Sequence, residues 1–128
     1  MASNLSVWQA NDIVAEYAAC DELQAPEKAV LALLSERLSG LRMLDIGVGA
    51  GRTMIHFAPR VREYWGIDYS AAMIAACHAR RPSGTTHLAL AVCDARAMTI
   101  FPSEFFFYCM DGYGMDVLEA WERALRAP

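Results

Sequence analysis

Apolar residues along the chain form short continuous runs, and stretches with helical spacing separate these runs. A helical lead-in over residues 1–40 comes first. Four runs rich in apolar residues then follow, at residues 41–47, 62–68, 86–93 and 105–110. The last of them is apolar on both faces, as expected of a parallel strand that is covered by helices. Alternating strands and helices predict an α/β protein with one parallel sheet.

Residues that begin or end helices support this alternation. The predicted helices lie at residues 26–40, 52–58, 70–81 and 116–125. In the first helix, Leu33 belongs to an apolar stripe at helical spacing that we expect to be buried. Ser70 is the predicted N-cap of the third helix. Because no repeat or linker interrupts the pattern, residues 1–128 are predicted to form a single domain, with residues 1–40 as a helical lid and lead-in and residues 41–128 as βα units.

The junction between the first strand and the following helix reads DIGVGAG at residues 45–51. Gly47, Gly49 and Gly51 have no Cβ, so a ligand can approach the backbone closely and φ can be positive. The first N–H groups of the following helix favour a negatively charged ligand group. Asp45 would repel a diphosphate, but its carboxylate suits a ligand that carries a positive amino group. The spacing also differs from the GxGxxG pattern of dinucleotide-binding proteins.

Two later apolar runs also end in a carboxylate. Asp68 follows the second run and Asp94 follows the third. In nucleotide-binding α/β proteins, the acidic residue at the end of the second strand, which is Asp68 here, accepts hydrogen bonds from the ribose hydroxyls. Since the carboxyl ends of parallel strands meet at one edge of the sheet, Asp45, Asp68 and Asp94 are predicted to line a ligand site there.

Together these motifs resemble those of the class I S-adenosylmethionine-dependent methyltransferases. The sequence DIGVGAG is similar to motif I of that family, and GIDYSAAMI at residues 66–74 is similar to the segment that follows its second strand. The resemblance implies a Rossmann-like, doubly wound parallel sheet with the strand order 3-2-1-4 and with N-terminal helices. It also implies S-adenosylmethionine as the cofactor.

The resemblance further implies which residues contact the cofactor. Tyr69 and Met73 would enclose the adenine ring, Asp94 would accept its amino group, and the N–H of Ala95 would meet a ring nitrogen. Tyr17 resembles the tyrosine of the family's lid segment. The full set of predicted cofactor-binding residues is Tyr17, Asp45, Gly47, Gly49, Gly51, Asp68, Tyr69, Met73, Asp94, Ala95 and Met110.

The segment MDGYGMD at residues 110–116 would border the reactive methyl group, as in the family's small-molecule branch. It contains no Asn-Pro-Pro-Tyr, Asp-Pro-Pro-Tyr or Pro-Cys motif, which argues against DNA bases as acceptors. Methyl transfer needs a positioned nucleophile and exclusion of water more than a particular catalytic side chain. Asp111 and Tyr113 are the candidate catalytic residues, because either could remove a proton from a small-molecule acceptor.

Charge and cysteine spacing exclude several classes of partner. The net charge is −4, and apart from the pair Arg80-Arg81 the basic residues are scattered, so no nucleic-acid partner is expected. No leader segment and no apolar run of membrane-spanning length occurs, so a cytoplasmic protein without a membrane partner is predicted. The four cysteines are widely spaced, and no metal site is expected.

The resemblance covers most of this chain but only about the first half of a usual family member, so we expect a fragment or a shortened form. The fourth strand would then have an unpaired, aromatic edge, which favours pairing with a second chain. A homodimer is therefore predicted. Two other functions stay open: a module of this fold that binds the cofactor without turnover, and a NAD-dependent oxidoreductase, which the glycine spacing and Asp45 oppose.

Overall fold

A four-stranded parallel sheet is the centre of the protein in the computed structural model, which describes residues 4–85, 87–94 and 96 and the backbone of residues 106–109. The strands are β1 (Arg42–Ile46), β2 (Glu63–Asp68), β3 (Leu88–Val92) and β4 (Phe106–Cys109). They lie in the order β3-β2-β1-β4, and every neighbouring pair is parallel. The predicted α/β class with a Rossmann-like sheet is therefore confirmed.

Short helices precede and connect the strands. They are α1 (Asn4–Trp8), α2 (Asn11–Ala18), α3 (Ala25–Leu33), α4 (Met54–Phe57) and α5 (Ala71–Ala79), with a single 3-10 turn at Leu38–Gly40. Among the helices that the structure describes, none has both the length and the apolar character needed to cross a membrane. The helix predicted at residues 116–125 lies outside the described residues.

The sequence prediction was wrong about the extent of the first predicted helix and about the burial of Leu33, although Val30, Leu34 and Leu38 of the same predicted stripe do contact the core. The helix α3 ends at Leu33 and is followed by turns, and the side chain of Leu33 is 82% exposed. Glu27 is buried instead, and Val30, Leu31 and Leu34 pack against the core. The physical reason is an ion pair between Glu27 and Arg52, which turns the Glu27 face of α3 toward the glycine-rich junction.

The strand register brings the predicted site residues to one edge of the sheet. Ile46, the last residue of β1, is paired with Ile67, so β1 and β2 end side by side. Asp68 is paired with Val92 at the end of β3. A Cβ on Gly66 would lie 2.8 Å from Leu90 Cδ2 and 3.0 Å from Val48 Cγ2, so only glycine leaves room there for both side chains. Close packing at Gly66 thus supports the loop that follows β1.

Candidate ligand-binding site

The glycine-rich loop at residues 47–51 leaves β1 in a left-handed conformation that glycine adopts readily. The φ angles of Gly47, Gly49 and Gly51 are 75°, 58° and 97°. The N–H groups of Gly47 and Val48 both donate to the carbonyl oxygen of Ile67, at 2.9 and 3.0 Å. These two bonds fasten the loop to the end of β2, so its shape is set by the fold.

Gly49 and Gly51 serve different purposes in this loop. A Cβ on Gly51 would lie 2.9 Å from Met54 Cε and 3.0 Å from Cys77 Sγ, so this glycine lets α4 and α5 pack closely. A Cβ on Gly49 would meet only the carbonyl oxygen of Gly47, at 3.9 Å. Space beside Gly49 is therefore open, and this is the part of the loop that a ligand can approach.

Asp68 lies directly beside Gly49. The Gly49 N–H donates to Asp68 Oδ2 at 3.0 Å, and the Ser70 N–H donates to Asp68 Oδ1 at 2.9 Å. Burial raises the pKa of the Asp68 carboxyl, and these backbone N–H groups act in the opposite direction. Each oxygen accepts one bond from the backbone and keeps a second lone pair. The carboxylate is thus held in place while it can still accept hydrogen bonds from a ligand.

Asp45 is completely buried beneath the same loop. Its Oδ2 accepts hydrogen bonds from the hydroxyl groups of Thr53 and Tyr64. Its Oδ1 has no hydrogen-bond partner among the described residues. Burial raises the pKa of Asp45 to about 6, although the two hydroxyl groups act to lower it. The structure therefore places a buried acceptor without a donor at the end of β1.

Asp94 has a different environment, because it is held by a neighbour in the sequence. Both of its carboxylate oxygens accept hydrogen bonds from the Arg96 guanidinium, and Oδ1 also accepts from the Arg96 N–H at 2.9 Å. These contacts lower the pKa of Asp94. Tyr69 is close enough for Asp68, Asp94 and Arg96 to influence its own pKa, which burial raises. Asp68, Tyr69 and Asp94 thus lie near one another at this edge of the sheet.

The N-terminal helices are attached to this edge of the sheet. The ring of Tyr17 packs edge-on against Trp8, with 5.5 Å between the ring centroids. Ser70 Oγ donates to the carbonyl oxygen of Trp8 at 2.8 Å and also accepts from the Met73 N–H at 3.2 Å. Ser70 is the N-cap of α5, as predicted. The pair Trp8–Tyr17 consequently lies next to the residues that follow Asp68, while Met73 is almost fully buried.

Arg80 makes a second connection between the loop and the N-terminal segment. Its Nη1 donates to the carbonyl oxygen of Ala50 at 2.9 Å, and its Nη2 donates to the carbonyl oxygen of Cys20 at 2.9 Å and to Asp21 Oδ1 at 2.6 Å. His56 Nε2 contacts the carbonyl oxygen of Asp21 at 2.6 Å. The guanidinium of Arg80 therefore holds the glycine-rich loop and the lead-in together.

Several residues in these networks were not identified from the sequence. Thr53 and Tyr64 bind Asp45, Arg52 pairs with Glu27, and Arg80 joins the loop to Cys20. The one available signal was Tyr64, a polar aromatic residue inside an otherwise apolar strand, whose hydroxyl needs a partner when buried. Among the predicted site residues, Ala95, Met110, Asp111 and Tyr113 lie outside the described part of the chain.

Several solved structures have a similar fold. The YcgJ protein from Bacillus subtilis has a TM-score of 0.64 and 23% identity, with 80% of this chain and 47% of that protein covered. Magnesium protoporphyrin IX methyltransferase from Synechocystis, solved with bound S-adenosylmethionine, has a TM-score of 0.73 and 15% identity, with 98% and 71% covered. Phosphoethanolamine N-methyltransferase 2 from Haemonchus contortus, in complex with S-adenosylmethionine, has a TM-score of 0.71 and 22% identity, with 98% and 34% covered.

The chain therefore spans about half the length of the Bacillus protein and about a third of the Haemonchus enzyme. No curated protein sequence matches the chain. A family model described as a methyltransferase domain matches residues 43–127, from β1 onward. Since this match covers more than half of the chain and includes the glycine-rich loop, Asp68 and Asp94, the chain belongs to the methyltransferase domain family.

Proposed function

We propose that this chain binds S-adenosylmethionine at the edge formed by the ends of β1 and β2 and takes part in methyl transfer to a small molecule. The observation that carries this proposal is the pairing of the open Gly49 with Asp68, which are joined by a 3.0 Å hydrogen bond. An open backbone next to a fixed carboxylate suits a ribose. Membership of the methyltransferase domain family and the cofactor-bound Synechocystis and Haemonchus structures support it.

The donor and acceptor groups of the site fit the chemical groups of S-adenosylmethionine. The Asp68 oxygens that accept from the Gly49 and Ser70 N–H groups have further lone pairs, which would accept from the two ribose hydroxyls. Asp45 Oδ1 has no donor in the part of the chain that the structure describes, and the ammonium of the methionine part would supply one. Gly51 shapes the loop, because a Cβ there would meet Met54 and Cys77, and the Gly47 N–H fastens the loop to Ile67.

The adenine end would meet Tyr69, Met73 and Asp94. Because both oxygens of Asp94 are engaged by Arg96, the adenine amino group has to share or displace that ion pair. Tyr17 and Trp8 would cover the cofactor from the N-terminal side, where Ser70 holds Trp8 in place. In this arrangement the N-terminal helices exclude water from the cofactor site.

When bound, S-adenosylmethionine supplies a methyl group that its sulfonium has already activated for in-line displacement. The residues of this chain then hold the cofactor and keep water away from it. The assignments of Met110 as a cofactor contact and of Asp111 and Tyr113 as residues that accept a proton from the small-molecule acceptor stay predictions. We further propose that residues 1–128 form one domain, that the protein is cytoplasmic, and that it acts as a homodimer, with β4 at the edge of the described sheet.

Equilibrium binding followed by a methyl-transfer assay tests the proposed function. Calorimetry should show saturable binding of S-adenosylmethionine and S-adenosylhomocysteine and no binding of NAD. Binding of NAD alone would contradict the proposal and favour an oxidoreductase. Binding of S-adenosylmethionine without release of labelled methyl to any of a panel of small amines, alcohols and thiols would favour a module that holds the cofactor without turnover. Light scattering over a dilution series tests the homodimer.

A further inference from the structure

Asp45 is oriented by two hydroxyl groups from different parts of the fold. Thr53 immediately precedes α4, and Tyr64 lies in β2. Both side chains are buried, and both donate to the same carboxylate oxygen, Oδ2. Oδ1 is left buried and without a donor among the described residues. A buried acceptor without a partner is destabilising, so this arrangement needs an explanation.

We infer that Tyr64 and Thr53 are positioning residues, which occupy Oδ2 of Asp45 so that Oδ1 is kept for the ammonium of the bound ligand. This inference rests on the proposed function, because it assumes a ligand with an adenosine part and an amino-acid part. Two donors on one oxygen fix the plane of the carboxyl group as well as its position. A single donor would leave the group free to rotate and to present either oxygen.

The charges around Asp45 agree with a cationic ligand group. Among the described residues, no basic side chain lies within ion-pair distance of Asp45, because Arg52 is paired with Glu27. Glu27, on α3, acts to raise the pKa of Asp45, and Arg52 acts to lower it. On α5, burial raises the pKa of Cys77 to about 12, so its thiol stays neutral. Among the described residues of this cluster, the carboxylate of Asp45 is the charge without an ion-pair partner, and an ammonium group would balance it.

The pH dependence of ligand binding follows from the same contacts. The ammonium binds the carboxylate form, so affinity for it should fall as the pH falls through the pKa of Asp45, which is about 6. The hydroxyl of Tyr64 acts to lower that pKa. Replacing Tyr64 by phenylalanine removes this effect, so in the Tyr64→Phe variant the loss of affinity should begin at a higher pH.

Two probes that differ only at the amino-acid end separate positioning from general stability. S-adenosylhomocysteine has the ammonium and carboxylate, whereas 5′-methylthioadenosine has the adenosine part without them. In calorimetry at neutral pH, Tyr64→Phe should weaken S-adenosylhomocysteine binding about tenfold, the size expected for one hydrogen bond to a charged group. Binding of methylthioadenosine should change by less than about twofold, within the usual scatter for a group it does not contact.

Variants of Thr53 provide an independent test if Tyr64→Phe does not fold. Thr53→Val removes the hydroxyl at nearly constant volume and should show the same selective loss. Thr53→Ser keeps the hydroxyl and should restore binding. Leu38→Ala, in the same core but without a hydrogen bond to Asp45, is the control for lowered stability.

Equal losses for both probes would overturn the inference, as would a loss that Leu38→Ala reproduces or an unchanged pH profile in Tyr64→Phe. Those results would assign Tyr64 and Thr53 a purely structural role while the proposed function stands. If the unaltered chain binds neither probe, it is the proposed function that fails.

Discussion

Asp45 and Asp94 follow the same sequence pattern, an apolar run that ends in a carboxylate, yet the structure gives them opposite environments. Asp45 is 0% exposed and bonds to two neutral hydroxyl groups. The side chain of Asp94 is 44% exposed and forms an ion pair with Arg96. Burial raises the pKa of Asp45, whereas Arg96 lowers that of Asp94.

The position of each strand in the sheet explains this difference. The strand β1 lies between β2 and β4, so its last residues are enclosed on both sides. The strand β3 is at the edge of the described sheet, and the side chain of Asp94 after it is 44% exposed. Asp68, at the end of β2, combines features of both, because it is nearly buried but bonds to backbone N–H groups of the loop. The same local sequence pattern therefore predicts where an acidic residue lies in the sheet but not how deeply it is buried or which groups it bonds to.

The largest effect is expected at Asp68, where the ligand and the loop depend on one carboxylate. If Asp68 binds the ribose as proposed, Asp68→Ala removes two charge-assisted hydrogen bonds, each contributing about 1.5 to 3 kcal/mol before compensation, so affinity for S-adenosylhomocysteine should fall at least about 30-fold. Calorimetry measures this fall. Circular dichroism checks that the variant is folded, since the N–H groups of Gly49 and Ser70 also lose their acceptor. Unchanged affinity in a folded variant would disprove the ribose assignment.

The second-largest effect is expected in the pH dependence of stability, which should distinguish the buried Asp45 from the exposed Asp94. Its pKa is raised in the folded state, so the folded protein binds this proton more tightly than the unfolded chain does. Below pH 3.8, the pKa of Asp45 in the unfolded chain, this proton stabilises the folded state to its full extent. The stabilisation is lost as the pH rises toward about 6, the pKa in the folded state. A shift of this size corresponds to about 3 kcal/mol.

Asp45→Asn is the matched variant for that experiment. Between about pH 4 and pH 6, the free energy of unfolding of the unaltered chain should fall relative to that of Asp45→Asn, because only the former loses the proton. Urea denaturation at several pH values measures both curves. Parallel curves would show that Asp45 is ionised with its ordinary pKa. An opposite slope would mean that the hydroxyls of Thr53 and Tyr64 outweigh the effect of burial.

The sheet and the main site acids were predictable because their signals are local. A strand, three glycines and a helix start determine a loop at residues 47–51, and the strands place Asp45 and Asp68 at one edge. The burial of Glu27 in α3 was not predictable, because it depends on an ion pair between residues 25 positions apart, Glu27 and Arg52. Likewise Tyr64 meets Asp45 only once β1 and β2 are paired.

Ligand contacts and packing contacts also look alike in a sequence. Gly49 and Gly51 belong to one motif, and the sequence does not indicate that Gly49 borders open space whereas Gly51 borders Cys77. Similarly, Arg80 is part of a basic pair in the sequence, and nothing in that pair indicates that its guanidinium reaches Ala50 and Cys20. Three-dimensional packing decides both cases.

A smaller effect should distinguish the two glycines. In either position alanine is strained, because φ is positive, at a cost of about 1 to 2 kcal/mol. Gly51→Ala should destabilise the fold further, since its Cβ would approach Met54 and Cys77. Gly49→Ala should retain more stability but lose more affinity for S-adenosylhomocysteine. Thermal unfolding and calorimetry on both variants measure the two changes. The proposed division of roles would be contradicted if Gly49→Ala binds normally or if Gly51→Ala is the more stable variant.

The smallest effects are expected at the exposed acid. The pair Asp94–Arg96 is largely open to solvent, so its removal should change stability by less than about 1 kcal/mol. If the adenine amino group bonds to Asp94, then Asp94→Ala should weaken S-adenosylhomocysteine binding only severalfold, because solvent already screens that carboxylate.

Arg96→Ala should have the opposite sign and strengthen binding slightly, since the guanidinium no longer competes with the amino group for the same oxygens. Calorimetry on both variants gives the two signs. Weakening by both variants would show that Arg96 itself contacts the ligand, and a loss at Asp94 as large as that at Asp68 would show that exposure does not separate the acids at this edge.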